Sequence, residues 1–255
     1  MTGRAFCSVI VLLGCRLAFS QVATPATTSI PFMGCKSDGQ LGPQDAPTGK
    51  SIEAVIPAAA AQRLAYYKAE SGMGVLGPRG WYCFGTYGSN GDELYVSPTR
   101  INSDELLSTK RKGFIGPAIE ISCEYGGTSG RFAVATVIAR VFPDRLGFVK
   151  RVVTDERKVG LPGTRFAYGP YKNDVLTYRS GNVVEFKTPP NTEGPGTHSW
   201  LLKNGYPIRG VAILVGTEPD LIQLSVRLSS GTSDLASFII ERTEWEADQA
   251  GRGLE

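Results

Sequence analysis

Two stretches of strict two-residue alternation do most to limit how this chain folds. In IEISCEY, residues 119–125, Ile119, Ile121, Cys123 and Tyr125 fall on one side, with Glu120, Ser122 and Glu124 on the other. In LIQLSVRL, Ile222, Leu224, Val226 and Leu228 share a side. Such alternation belongs to antiparallel strands with one face on a core. GVAILVG, 210–216, is a continuous apolar run suited to a central strand. DVLTYR and VVEFKT flank Ser180-Gly181-Asn182 as a hairpin. Between these strands the period changes. RFAVATVIARVF, 131–142, is apolar almost all round, broken only by Thr136 and Arg140, and its alanines disfavour a strand. It reads as a helix with Ser129 at its N-cap and Pro143 beyond its end. A more amphipathic helix follows through DRLGFVKRVVTDER, and Leu235, Phe238, Ile239 and Arg242 mark a third after a Ser233 cap. An earlier helix is expected from Pro57 through AAAAQRLAYYKAE to Gly72. Regular βαβ alternation is missing, so the expected fold is α+β: one domain with a largely antiparallel sheet and helices packed on it.

The N-terminus sets the compartment. MTGRAFCSVIVLLGCRLAFSQVA has Arg4 ahead of an uncharged apolar run too short to span a bilayer, the pattern of a secretion signal. Cleavage after Ser20 gives a periplasmic or secreted protein. Leu12-Leu13-Gly14-Cys15 offers the alternative of a lipoprotein anchored through Cys15. No later run is long enough to be an integral membrane segment. The expected organisation is a signal peptide at 1–20, an extended lead-in at 21–50, the α+β domain at 51–246 and a flexible tail at 247–255. Removing a leader that carries Arg4 and Arg16 lowers the formal charge from +3 to +1. A nearly neutral chain argues against a nucleic-acid groove. Lys110-Arg111-Lys112 and Lys150-Arg151 read as solvated faces.

Export permits disulfides. Cys35, Cys83 and Cys123 remain after the leader, so at most one internal pair forms. Cys123 sits in the apolar register of its strand, where a free thiol packs as a small hydrophobe. Cys35–Cys83 is the expected bridge, worth about 3–4 kcal/mol by loop closure, with Cys83–Cys123 as the rival.

No motif commits the chain to a chemistry. GKS at 49–51 ends like a phosphate loop, but Gln44 stands where the first glycine belongs, and the context is a connector leading into a helix. No nucleotide and no cofactor is expected. His198 is the sole histidine and lacks zinc-ligand spacing, so no metal is expected. Gly127-Thr128-Ser129-Gly130-Arg131 departs from a nucleophile elbow at Arg131. Glu120 and Glu124 share a strand face that reads as solvated, and Asn90-Gly91-Asp92-Glu93 reads as a turn. The densest signal is GPRGWYCFGTYGS, 77–89, where Arg79, Trp81, Tyr82, Phe84 and Tyr87 lie among glycines. Arg79, Trp81, Tyr82 and Tyr87 are its candidate binding residues, against a plain hairpin with rings divided between core and surface.

That segment, LAYYKAE before it, and Gly34-Cys35-Lys36-Ser37-Asp38-Gly39-Gln40 resemble parts of exported bacterial proteins without an assigned activity. GPYKNDVLTYRS and TEGPGT…PIRGVAILVG are similar to the same group. The resemblance implies bacterial export and carries over no catalytic residue. The expected function is a non-catalytic domain that binds a partner protein or a cell-envelope component. The alternative is a cell-envelope hydrolase using carboxylates or His198.

Overall fold

In the computed structural model, residues 27–101, 103–107 and 113–252 are described. The leader, Cys15 and Lys110-Arg111-Lys112 lie outside them. The chain forms β1 (Thr27–Ile30), β2 (Phe32–Gly34), β3 (Ser37–Gly39), β4 (Ile52–Val55), α1 (Ala58–Ala61), β5 (Leu64–Lys68), β6 (Val75–Pro78), β7 (Tyr82–Gly88) and β8 (Gly91–Ser97). It continues through α2 (Ser103–Leu107), β9 (Ala118–Glu124), α3 (Arg131–Val141), α4 (Leu146–Lys158), β10 (Val175–Tyr178), β11 (Val183–Thr188), β12 (Ile208–Val215), β13 (Asp220–Arg227) and α5 (Ala236–Arg252).

Eight strands form one sheet in the order β10-β11-β12-β13-β9-β8-β7-β3. Every pairing in it is antiparallel except β3 on β7. The two alternating stretches are its neighbouring central strands β9 and β13. Their apolar sides, with Leu94, Val96, Val211 and Ile213, enter the main core, which α5 and the small β2-β5-β6 sheet cover. On the opposite side α3 and α4 pack Val134, Ile138, Phe148 and Val149 over Val184, Ala212, Leu214 and Leu221. Each fully buried leucine or isoleucine contributes about 1.5–3 kcal/mol of transfer free energy. The architecture is the single α+β domain that the alternation predicts.

The N-terminal third differs in detail from its sequence reading. The helix expected from Pro57 to Gly72 is one turn, α1, followed by a strand. Leu64, Ala65, Tyr66 and Tyr67 are all buried in β5, which pairs with β2 on one side and β6 on the other. A lone helix buries one stripe, whereas a central strand buries both sides, and consecutive tyrosines suit the strand. GKS leads into β4 rather than a helix. Parts of the expected lead-in are structural: β1 pairs with β4, and β3 is the edge of the large sheet. At the other end, residues 247–252 continue α5, with Ala247 buried, where a flexible tail is expected. Ser129 does not cap α3; Gly130 occupies the cap position, and its N–H is held by the Thr128 hydroxyl at 3.2 Å.

Two local expectations hold. Cys35 and Cys83 form the disulfide, 48 residues apart, tying the β2–β3 segment to β7. The Asn90-Gly91 turn closes the β7–β8 hairpin. Gly91 adopts φ +157°, and a Cβ there would lie 2.0 Å from the Cys123 carbonyl oxygen, so only glycine fits.

Candidate functional site

Strand register assembles a polar patch on the helix-covered side of the sheet. Glu120 of β9 lies opposite Tyr95 of β8 and Ser225 of β13. Ser122 lies opposite Glu93 and Gln223, and Glu124 opposite Gly91 and Leu221. Three strands thus present carboxylate, hydroxyl and amide groups on one face, because side chains opposite one another in adjacent strands stand only about 5 Å apart. The Thr86 hydroxyl donates to Glu93 from the next strand. α3 lies over this patch with Ala133, Thr136 and Val137, and the segment His198–Trp200 closes its end. Between them is a cavity of about 270 Å³. The Glu120/Glu124 face, expected to be solvated, is roofed.

Burial governs the chemistry of these groups. Glu120 is 5% exposed, and one of its oxygens accepts from the Trp200 backbone N–H at 2.6 Å. Desolvation, reinforced by Glu93 and Glu124, pushes its carboxyl up to about 8. Desolvation followed by the charges of Glu93 and Asp92 raises Glu124 to about 7. Glu124 Oε2 and Ser225 Oγ are both buried without a hydrogen-bond partner among the described residues. Ser225 is 1% exposed. An unpaired buried hydroxyl costs about 1–3 kcal/mol, so the native fold bears a penalty at the floor of this cavity.

The closing segment is anchored from the sheet. Arg227, fully buried two residues beyond Ser225, donates through Nε to the Gly116 carbonyl at 2.9 Å and through its other nitrogens to Phe114 and Leu202. Phe114 in turn bridges the closing segment through its backbone, donating its N–H to Trp200 O at 2.7 Å and accepting from the Leu202 N–H at 2.9 Å. Arg227 therefore fixes the loop whose Trp200 N–H holds Glu120, while the Trp200 ring meets Tyr95 edge-on at 5.8 Å.

His198 stands at the rim. Its Nε2 is hydrogen-bonded to the Tyr171 hydroxyl, and the Arg140 guanidinium lies 4.1 Å from the Tyr171 ring centroid. Desolvation and then Arg140 hold the imidazole below its ordinary value, disfavouring its charged form. The thin polar stripe of Thr136 and Arg140 on α3 thus faces the cavity wall and its rim. The histidine contacts a tyrosine rather than a serine, and a Ser-His-Asp arrangement is not formed here.

The aromatic hairpin does not come together as a surface. Arg79 donates to the Leu64 and Ala61 carbonyls at 3.3 and 3.4 Å. Trp81 packs against the main core, and its N–H bonds the Tyr67 hydroxyl at 3.1 Å. Phe84 lies partly buried opposite Tyr95. Tyr87 donates to the Gly42 carbonyl at 2.5 Å. Tyr82 is exposed beneath the Arg100 guanidinium. Tyr82 and Tyr87 are five residues apart on one strand, so they point to opposite faces about 16 Å apart. Cys123 is free and packs at the core margin, with its thiol pushed by burial to about 12, an inert state. Asp92 accepts from the Tyr125 hydroxyl and supports the turn.

Ser225, Gln223, Trp200 and Arg227 escape the sequence reading. The available signal was a second alternation: Gln223, Ser225 and Arg227 carry polar groups on the same side of one strand as Glu120, Ser122 and Glu124 do on its neighbour. No family model, no curated protein and no solved structure matches the chain. Chemically, the cavity can accept hydrogen bonds and a positive charge, and it can hold or move a proton at Glu120 or Glu124.

Proposed function

We propose that this chain is the ligand-binding domain of an exported bacterial protein, and that a small polar ligand occupies the cavity beneath α3. The observation that carries the reading is Ser225: a fully buried hydroxyl without a partner among the described residues, opposite Glu120 in the floor of a cavity of about 270 Å³ that Glu124 also lines. Folding leaves these groups unsatisfied, and a ligand that bonds them recovers the loss. The Cys35–Cys83 disulfide supports an oxidising compartment and hence export. Arg79, Trp81 and Tyr87 make contacts within the domain, which favours the cavity over the aromatic hairpin as the contact site.

The test is amide shift mapping of the full chain against a library of polyols, amines and small acids. Shifts should cluster at Trp200, Ser225 and Glu124. Shifts that gather instead around Tyr82 and Arg100 would move the site to the hairpin and end this reading.

A second reading, acid–base hydrolysis, is favoured by one observation: two carboxyls on the same face of β9, four residues apart, that burial pushes up to about 8 and about 7. Glu120 then acts as the acid and Glu124 as the base. Turnover of a bound ligand that Glu120→Gln abolishes would establish it, and binding without turnover would leave the first reading standing alone.

A further inference from the structure

We propose that the ligand of this cavity is an uncharged sugar of a single ring, a hexopyranose whose hydroxyls bond Ser225 at one end and Glu124 at the other. The inference rests on the binding reading above and names its ligand class. Two observations carry it. Ser225 Oγ and Glu124 Oε2 are buried polar atoms without a partner at two register positions of one sheet face. The cavity they line is polar on its sheet side and apolar on its helix side.

The two atoms set the length. Ser225 of β13 lies opposite Glu120 of β9, and Glu124 is four residues further along β9. Four residues of strand span about 13 Å. Strand side chains stand roughly perpendicular to the sheet, so that spacing carries into the cavity. A hydrogen bond of about 2.8 Å at each end leaves roughly 7 Å for the ligand. A six-membered ring with hydroxyls at opposite corners fills that gap, whereas a three-carbon molecule reaches one end only. The volume sets the upper limit. A cavity of about 270 Å³ falls below the roughly 300–1,000 Å³ of sites for drug-sized ligands, so one ring fits and a chain of rings does not.

The walls set the shape. Ser122, Gln223 and Ser225 form the floor, while α3 lays Ala133 and Val137 across the roof. A pyranose ring has the same division, with hydroxyls around its rim and C–H groups on its faces. Lying beneath α3, it turns a C–H face to the two apolar side chains and its rim to the floor and ends.

The lack of charge follows from the partners. Serine hydroxyls both donate and accept. Burial pushes Glu120 up to about 8 and Glu124 up to about 7, so each carboxyl passes between donor and acceptor forms near the neutral range. A sugar hydroxyl, itself donor and acceptor, bonds either form. An ammonium only donates and a carboxylate only accepts, so each leaves part of the floor's capacity unused.

Amide-shift titration of the full chain with glucose, galactose and mannose, and with glycerol as a three-carbon fragment, reads affinity and location together. At least one hexose is expected to bind tenfold or more tighter than glycerol, with shifts at Ser225, Glu124 and Trp200. It should also bind at least fivefold tighter than its own amino-sugar and uronic-acid counterparts. Ser225→Ala should weaken that hexose at least fivefold, and its amide map without sugar checks that it folds. Glu124→Gln, which keeps an oxygen acceptor, should stay within threefold of the parent, while Glu124→Ala should weaken the hexose at least fivefold. Glycerol binding as tightly as the hexoses overturns the ring. An amino sugar or uronic acid binding tighter than its hexose, or a tenfold loss in Glu124→Gln, overturns the uncharged class. Each of these results leaves the cavity as the site. Failure of all three hexoses overturns this inference, and the binding reading falls with it only if the wider polar library also leaves Trp200, Ser225 and Glu124 unmoved.

Discussion

β9 and β13 each have two faces, and the molecule treats them oppositely. On one face Ile119, Ile121, Ile222, Leu224 and Val226 are packed into a continuous apolar core. On the other, one residue along, Glu120, Gln223, Ser225 and Arg227 are also buried, yet each is polar. Burial alone does not separate the faces; the way each side chain is compensated does. The apolar face needs only close packing. On the polar face Arg227 meets three carbonyls, Gln223 donates to the Pro195 carbonyl at 3.0 Å, Glu120 retains a proton, and Ser225 is not compensated at all. One face is built for stability, and the other carries a stability cost that a ligand can relieve.

Substitutions on adjacent residues sharpen this contrast. The largest effect is expected from Leu224→Ala, which opens a cavity in the fully buried core and should lower unfolding free energy by about 3 kcal/mol in denaturant titration. Its amide map with ligand should keep the same pattern, since Leu224 points away from the cavity. Next is Arg227→Met, which leaves the Gly116, Phe114 and Leu202 carbonyls without their donor and should cost about 2–3 kcal/mol. Unlike Leu224→Ala it should also disturb Trp200, because the loop that positions the Trp200 N–H loses its anchor. An unchanged Trp200 resonance in that variant would separate the loop from the arginine.

Glu120→Gln tests the polar face by pH. Glu120 has a folded value of about 8 against an ordinary 4.5. Below pH 4.5 both folded and unfolded chains carry the proton, and ionisation costs nothing. As pH rises the unfolded chain ionises first, so stability falls until the folded carboxyl also ionises near 8. Melting temperature should therefore decline from pH 5 to pH 8, with Glu124 adding in the same direction. Glu120→Gln should flatten most of that decline and stabilise the protein at pH 8 by more than about 1.4 kcal/mol, the worth of one pKa unit. A slope unchanged by the substitution would mean that Glu120 is ionised in the folded state.

The apolar face was legible in the sequence, because two-residue periodicity encodes which side of a strand meets a core. The hairpin at 174–188, the helices α3 and α4, the central run of β12 and the Cys35–Cys83 bridge follow from local pattern or from counting. The polar face was half legible. Alternation places Glu120, Ser122 and Glu124 together, but whether water or another element lies above them depends on the tertiary path of α3 and of residues 198–202, which no local pattern encodes. The segment 58–68 was misleading for a related reason: alanines and a leading proline favour a helix locally, while pairing between β2 and β6 buries Tyr66 and Tyr67 more completely than a helix could. Aromatic density at 77–89 reflected packing and turn chemistry, with only Tyr82 left exposed.

Ser225→Ala is expected to have the smallest effect on stability, within about 1 kcal/mol, and it is the most discriminating variant. Leu224 and Ser225 are sequence neighbours, both essentially buried. Truncating the first removes packing. Truncating the second removes a hydroxyl that lacks a partner, so the folded state should gain stability slightly in denaturant titration. The same change should weaken ligand, because the hydroxyl is offered to the cavity and to nothing else among the described residues. Opposite signs for stability and binding at one residue are the signature of a group retained for a ligand. Loss of stability in Ser225→Ala, with affinity unchanged, would instead make Ser225 a part of the packing and erase the difference between the two faces.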